Sequence, residues 1–146
     1  MSDTITDKLA EKIFEISRSL KGSMSLKTSL VHLSILQIQT LDFLSKNEFV
    51  QMSEIADYFH IETPSATVLL NKLHDLELVH RQADPKDRRL VRIGLTDEGK
   101  LLLKEATKER NNKIEKMLSL LSDEDKKELL RILNIIETGI GPKNEN

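Results

Sequence analysis

The hexapeptide Asp84-Pro85-Lys86-Asp87-Arg88-Arg89 restricts the folds open to this chain more than any other stretch. Proline at the second position of a turn presets φ, and an aspartate ahead of it can bond to the backbone beyond, so the chain is expected to reverse here. The flanking runs Leu78-Val79-His80-Arg81 and Leu90-Val91-Arg92-Ile93 have the residue types of strands. The stretch therefore predicts a β-hairpin with cations at its tip.

Two helices are predicted just upstream. Ser53 is the expected cap of a short one, Glu54 to Phe59, and His60-Ile61-Glu62 is the turn after it. Thr63-Pro64 then offers a second cap with proline at the first helical position, where its missing N–H costs nothing. In the helix so begun, Leu69, Leu73 and Leu76 share a face with Ala66 and Leu70 beside them. Ser65, Thr67, Val68, Asn71, Lys72 and Asp75 lie opposite. A helix pair followed by a basic-tipped hairpin is the order of a helix-turn-helix with a wing.

Helices also flank this unit on both sides. From Thr4 to Lys21, the residues Ile5, Leu9, Ile13, Ile16 and Leu20 recur at steps of three and four, and Phe14 widens the stripe. Such a face must be covered by later helices or by a second copy of the chain. Lys21-Gly22-Ser23-Met24-Ser25 reads as a breaker. Ser34 caps the next helix, whose Ile35, Leu36, Ile38, Leu41, Phe43 and Leu44 leave little polar face, as in a central helix. Phe49-Val50-Gln51 is a candidate third strand beside the hairpin. Thr96 caps a long helix with two apolar clusters, Leu101 to Leu103 and Ile114 to Leu121, separated by the polar run Thr107 to Lys113. A last helix opens on the capping box Ser122-Asp123-Glu124-Asp125 and carries Leu129, Leu133, Ile136 and Ile140 at helical steps. Gly139, Gly141 and Pro142 are its expected stop, with a disordered tail at 142–146.

Composition narrows the function classes. At 146 residues the chain fits one domain or one protomer, and 38% hydrophobic with 3% aromatic residues suits a Leu/Ile-cored, mainly α protein with a small β wing. The absence of cysteine excludes disulfides, thiolate metal sites and thiol redox sensing. His32, His60, His74 and His80 have no spacing that gathers metal ligands, so neither a metal nor a cofactor is expected. There is no nucleophile elbow and no glycine-rich phosphate loop, which argues against an enzyme. No apolar run approaches the roughly 18 residues of a membrane span, and the N-terminus lacks a signal pattern, so a cytoplasmic location is expected. The net charge of −2 does not announce a nucleic-acid partner, and charge placement has to make that case.

These pieces resemble the multiple antibiotic resistance regulator (MarR) family of winged-helix transcription factors. The resemblance rests on Leu33-Ser34-Ile35-Leu36-Gln37 with Leu41 and Leu44, on Leu73 through Leu78-Val79-His80-Arg81, and on Asp84 to Arg89 closed by Leu95-Thr96-Asp97-Glu98-Gly99. It implies one domain over 1–146, with a winged helix-turn-helix lobe at 33–99 and a helical dimerisation region at 1–21 and 100–141. It further implies a homodimeric repressor bound to a pseudo-palindromic double-stranded operator, and an inter-lobe pocket where a small, often phenolic, effector alters DNA affinity. Leu9, Ile13, Ile16, Leu118, Leu121, Leu129, Leu133 and Ile136 would form the dimer contact. Thr63, Ser65, Thr67, Val68, Asn71 and Lys72 would face the major groove, with Asn71 pairing adenine and Val68 meeting a thymine methyl. Arg88 or Arg89, the latter favoured, would enter the minor groove while Asp87 holds one guanidinium. Lys72, Arg81, Lys86 and Arg92 would contact phosphates. Two positions depart from the family pattern. Val68 stands where many members have a base-reading arginine, and Glu77 replaces a glycine, which implies a turn of different geometry. The competing reading is a winged-helix protein-interaction module that binds no DNA.

Overall fold

The computed structural model describes residues 4–23, 26–27 and 31–140. Within them the chain forms six helices and two small antiparallel sheets: α1 (Ile5–Ser23), β1 (Leu26–Lys27), β2 (His32–Leu33), α2 (Ile35–Lys46), β3 (Val50–Gln51), α3 (Met52–Tyr58), α4 (Thr63–Asp75), β4 (Val79–Ala83), β5 (Val91–Leu95), α5 (Asp97–Leu118) and α6 (Asp123–Ile140). The chain is mainly α, and β4 with β5 makes the hairpin. β5 is the centre of a three-stranded sheet in the order β3-β5-β4, with Val50 opposite Ile93 and Arg81 opposite the same residue from the other side. The third strand expected at Phe49-Val50-Gln51 is therefore present. Two compact units divide the chain, Met1–Arg110 and Asn111–Asn146.

The core of the first unit is aliphatic. Leu33, Leu41, Leu44, Ile55, Leu69, Leu70, Leu73, Leu78, Val79 and Ile93 are buried together, drawing α2, α3, α4 and the sheet onto one centre. Leu36, Ile38 and Phe43 of α2 pack partly buried against it, in keeping with a central helix. Ser34 caps α2 through a reciprocal box: its hydroxyl accepts the Gln37 N–H at 3.3 Å, and its own N–H donates to the Gln37 side chain at 2.8 Å.

Helices α3 and α4 both end in the same way, and this sets the angle at which α4 is held. After α3, His60 takes φ 51; its N–H donates to Asp57 O (3.2 Å) and that of Ile61 to Ala56 O (3.0 Å). After α4, Glu77 takes φ 59; its N–H donates to His74 O (2.8 Å) and that of Leu78 to Leu73 O (3.0 Å). Both are Schellman endings, with an apolar residue just beyond the left-handed one turned back onto the helix. Glu77 thus adopts the conformation a glycine would adopt, and the expectation of a different turn is corrected. The residue sustains a left-handed backbone at a cost of about 1–2 kcal/mol because the two flanking hydrogen bonds and buried Leu78 hold it there.

Several boundaries differ from the sequence reading. α1 continues through Lys21 and Gly22 to Ser23, whereas Met24 and Ser25 of the expected breaker lie outside the described residues. Gln51, not Ser53, caps α3, with Glu54 accepting the Gln51 N–H at 2.6 Å. Glu62, not Thr63, is the cap residue of α4, so Thr63 is already helical. Gly139 lies inside α6, and Gly141, Pro142 and the 142–146 tail fall outside the described residues. The β1–β2 pair had no sequence forecast, since two-residue strands carry no periodic pattern.

The two apolar stripes at the chain's ends are uncovered in the single chain. On α1, Leu9, Ile13 and Ile16 are exposed, as are Ile5 and Phe14. On α6, Leu133, Ile136, Ile132 and Ile140 are exposed, Leu129 is half-buried and no residue is buried; Leu118 at the end of α5 and Leu121 in the turn after it are half-buried.

Candidate nucleic-acid interface

The hairpin tip is built on one buried carboxylate. Asp84 is only 5% exposed at the root of an otherwise exposed loop. One of its oxygens accepts the backbone N–H groups of Lys86 (2.7 Å) and Asp87 (3.1 Å), closing the turn that Pro85 presets. The other accepts the Arg92 Nε–H, and Arg92 Nη1 in turn donates to the Phe49 carbonyl at 2.9 Å. The hairpin is thereby fastened to the chain entering β3. The Arg92 guanidinium, followed by the two backbone donors, holds the Asp84 carboxyl below the usual carboxylate range. The group stays anionic at neutral pH.

A second carboxylate organises the cations above it. Asp87 Oδ1 accepts both the backbone N–H (3.1 Å) and Nε–H (3.0 Å) of Arg89, while Oδ2 accepts Nη2–H at 3.0 Å. This is the fork pairing expected of Asp87, and Arg89 is the residue held. The pair lowers the Asp87 pKa and raises that of Arg89. The Arg89 side chain nevertheless remains 89% exposed, so the pair fixes its direction without covering it. Arg88 and Lys86 have no ion pair among the described residues. Between Asp84 and Arg92, four cations (Lys86, Arg88, Arg89 and Arg92) face two carboxylates (Asp84 and Asp87), a local positive surplus on a chain of net charge −2.

Helix α4 lies in the same unit. Its Ala66, Leu69, Leu70 and Leu73 are buried in the core, and that anchorage leaves Thr63, Ser65, Val68, Asn71 and Lys72 exposed on the outer side, Val68 at 69%. Thr67 is half-buried instead: its hydroxyl lies 2.9 Å from Thr63 O and 3.3 Å from the Met52 sulfur, so it packs between α4 and α3. Asn71 Oδ1 accepts a hydrogen bond from Arg81 Nη2, tying the outer face of α4 to β4.

The structure therefore gathers Lys86, Asp87, Arg88 and Arg89 at the tip, and Ser65, Val68, Asn71, Lys72 and Arg81 along the outer side of α4. It draws Arg92 inward, to Asp84 and Phe49. Two pairings escaped the sequence reading. Arg92 with Asp84 had a signal: with Asp84 opposite Leu90, Arg92 is its diagonal cross-strand neighbour. Arg81 with Asn71 had none, since the bond spans the Glu77 turn. Among the described residues no three His, Asp or Glu side chains are placed to hold a metal ion, and no helix is long and apolar enough to cross a membrane.

Comparison with known proteins agrees with this geometry. Residues 33–90 match the family described as "MarR family". The chain is 30% identical over 89 residues to the HTH-type transcriptional repressor MdtR of Bacillus subtilis, an alignment covering 61% of this chain but only 57% of MdtR. Among solved structures, the transcriptional regulator BldR from Sulfolobus solfataricus is 28% identical with a TM-score of 0.65, covering 93% of this chain and 96% of BldR. Streptococcus pneumoniae FabT in complex with DNA has the same fold at 20% identity, with a TM-score of 0.79 over 92% of this chain and 96% of FabT. With the Leu33-to-Arg89 motifs matched and the helix pair, three-stranded sheet and basic wing in place, this chain has a winged helix-turn-helix fold and resembles the MarR family over residues 33–90.

Proposed function

We propose that the protein is a cytoplasmic, homodimeric regulator of transcription that binds a pseudo-palindromic double-stranded operator and represses from it, with no enzymatic activity of its own. In this reading α4 enters the major groove and Arg89 the adjacent minor groove. The observation that carries it is the Asp87–Arg89 fork: a guanidinium held in one direction yet almost fully exposed is preorganised for a narrow, electronegative groove. The naming of MdtR as a repressor, and the solved FabT complex with DNA, support the same assignment. Homodimerisation is supported by the exposed apolar stripe on α1 and by that on α6, because exposed apolar patches mark interaction sites. Region 33–99 is then the reading lobe, with 1–21 and 100–141 the dimerisation region.

The test is fluorescence anisotropy with labelled duplex, selected from a random pool, at rising salt. If Lys72, Lys86 and Arg88 of each protomer meet phosphates while Arg89 displaces counterions from the minor groove, two protomers neutralise roughly 6–10 phosphate charges, and affinity falls about 10³–10⁵-fold between 50 and 200 mM salt. Binding that ignores salt, or no binding at low salt, contradicts the proposal.

A further inference from the structure

The Arg81–Asn71 hydrogen bond bears on which base the outer side of α4 selects. A guanidinium has only donors, so the Asn71 amide must turn its oxygen toward Arg81 and its Nδ2 hydrogens away. An asparagine reads adenine by accepting from the base's N6–H₂ while donating to N7, which requires that same oxygen. The oxygen keeps a second lone pair, but the bond points it at Arg81, so the groups Asn71 turns away from β4 are its Nδ2–H₂ donors. Arg81 adds more of them: it is exposed, it uses one N–H on Asn71, and unlike Arg89 and Arg92 it has no carboxylate partner among the described residues. No arginine stands on α4 itself, whose other outward residues include Thr63, Ser65, Val68, Lys72 and Asp75, so Arg81 brings the fork in from β4.

Resting on the DNA-binding reading above, we infer that Arg81 and Asn71 act as one unit that turns its donors to the base and so selects guanine, whose major-groove edge offers the two acceptors N7 and O6, over adenine at that base pair. Arg81 is then a specificity-determining residue and not a phosphate contact alone. Deleting its donors frees the Asn71 oxygen and converts the site to an adenine reader.

The experiment is operator selection from a randomised duplex pool with the full-length protein, its Arg81→Met and its Asn71→Ala variants, all checked for an unchanged circular-dichroism melt. Asn71→Ala identifies the base pair that depends on Asn71. At that pair the wild type is expected to select guanine, and Arg81→Met to shift the adenine-to-guanine ratio by about tenfold or more toward adenine, leaving other positions alone. Two results overturn the inference while leaving DNA binding intact: a wild-type preference for adenine at that pair, or an Arg81→Met loss equal for every sequence. A wild type that retains no duplex at low salt fails at the earlier step and removes the DNA-binding reading, with this inference along with it.

Discussion

Arg89→Ala is expected to weaken operator binding about 100-fold while leaving the thermal melt unchanged. The loss is large because one arginine in a groove contributes on the order of 10- to 100-fold, and a dimer brings two wings to the same site. The melt should not move, because the Arg89 side chain is 89% exposed and, among the described residues, pairs only with Asp87, two residues away in its own loop; ion pairs at such a surface add little to stability. Asp87→Ala separates the charge from its aim. That variant keeps the guanidinium but removes the two hydrogen bonds that direct it and a third to the Arg89 backbone N–H, so affinity should fall only a few-fold, the cost of ordering one long side chain at the moment of binding. Titration of a fixed duplex by anisotropy measures both. An Arg89→Ala protein with wild-type affinity would mean that the wing tip is not a contact.

The second large effect concerns the joint between the hairpin and α5. Gly99→Ala should destabilise the protein by roughly 3 kcal/mol, a large share of the 5–15 kcal/mol a native domain commands. Helix propensity alone argues the opposite sign, since alanine is favoured over glycine by about 1 kcal/mol inside a helix. Packing overrides it. A Cβ at Gly99 would stand 2.2 Å from the Leu78 carbonyl oxygen and 2.9 Å from Leu95 Cδ1, and the first of these is backbone that has no rotamer to escape into. That carbonyl already accepts the Thr96 N–H at 3.1 Å, while the Thr96 hydroxyl donates to Glu77 O at 2.7 Å and accepts the Gly99 N–H at 3.0 Å. Pushing α5 outward to admit a methyl group therefore strains three hydrogen bonds together. Urea unfolding at fixed protomer concentration gives the number, and a midpoint within error of wild type would show that the contact relaxes without cost.

That joint also accounts for the Leu95-Thr96-Asp97-Glu98-Gly99 motif in physical terms. Thr96 is cap and tether at once, and Gly99 is there because the helix starts against a strand. Features of this kind, in which one residue's chemistry dictates its neighbours' geometry, were legible in the sequence: the Asp84-Pro85 reversal, the Ser34 and Thr96 caps, the apolar periodicity of α4. Legibility failed where tertiary packing outweighed local preference. Ser53 has the better capping side chain, yet α3 starts two residues earlier because Val50 and Gln51 are drawn into pairing with β5 and Glu54 can reach back to Gln51. Glu77 suggested a new turn, whereas the burial of Leu78 forces a left-handed residue at that point whatever its side chain. Thr67, assigned to the outward side by helical spacing, sits at the boundary, where Met52 of α3 covers it.

For the interface, the sequence located the cations and the pairing at Asp87, but not the partners of Arg92 and Arg81. Asp84 was read as a turn residue, and it is also the buried counter-charge that diverts Arg92 from the surface. Its depressed pKa has a consequence of known sign: the stabilisation it gives the wing is complete above the unfolded-state value near 3.8 and fades only as pH falls through the lower, folded-state value. The wing should therefore keep its shape throughout the neutral range.

Hydroxyl-radical footprinting of the protein on a selected duplex addresses the central assignment most directly, because it reports minor-groove occupancy at single-nucleotide resolution. Two twofold-related half-sites about 10 base pairs apart, centre to centre, are expected, each flanked by a minor-groove protection that disappears in Arg89→Ala. A single unpaired patch, or protections indifferent to Arg89, would contradict a dimer that reads DNA with α4 and grips it with the wing.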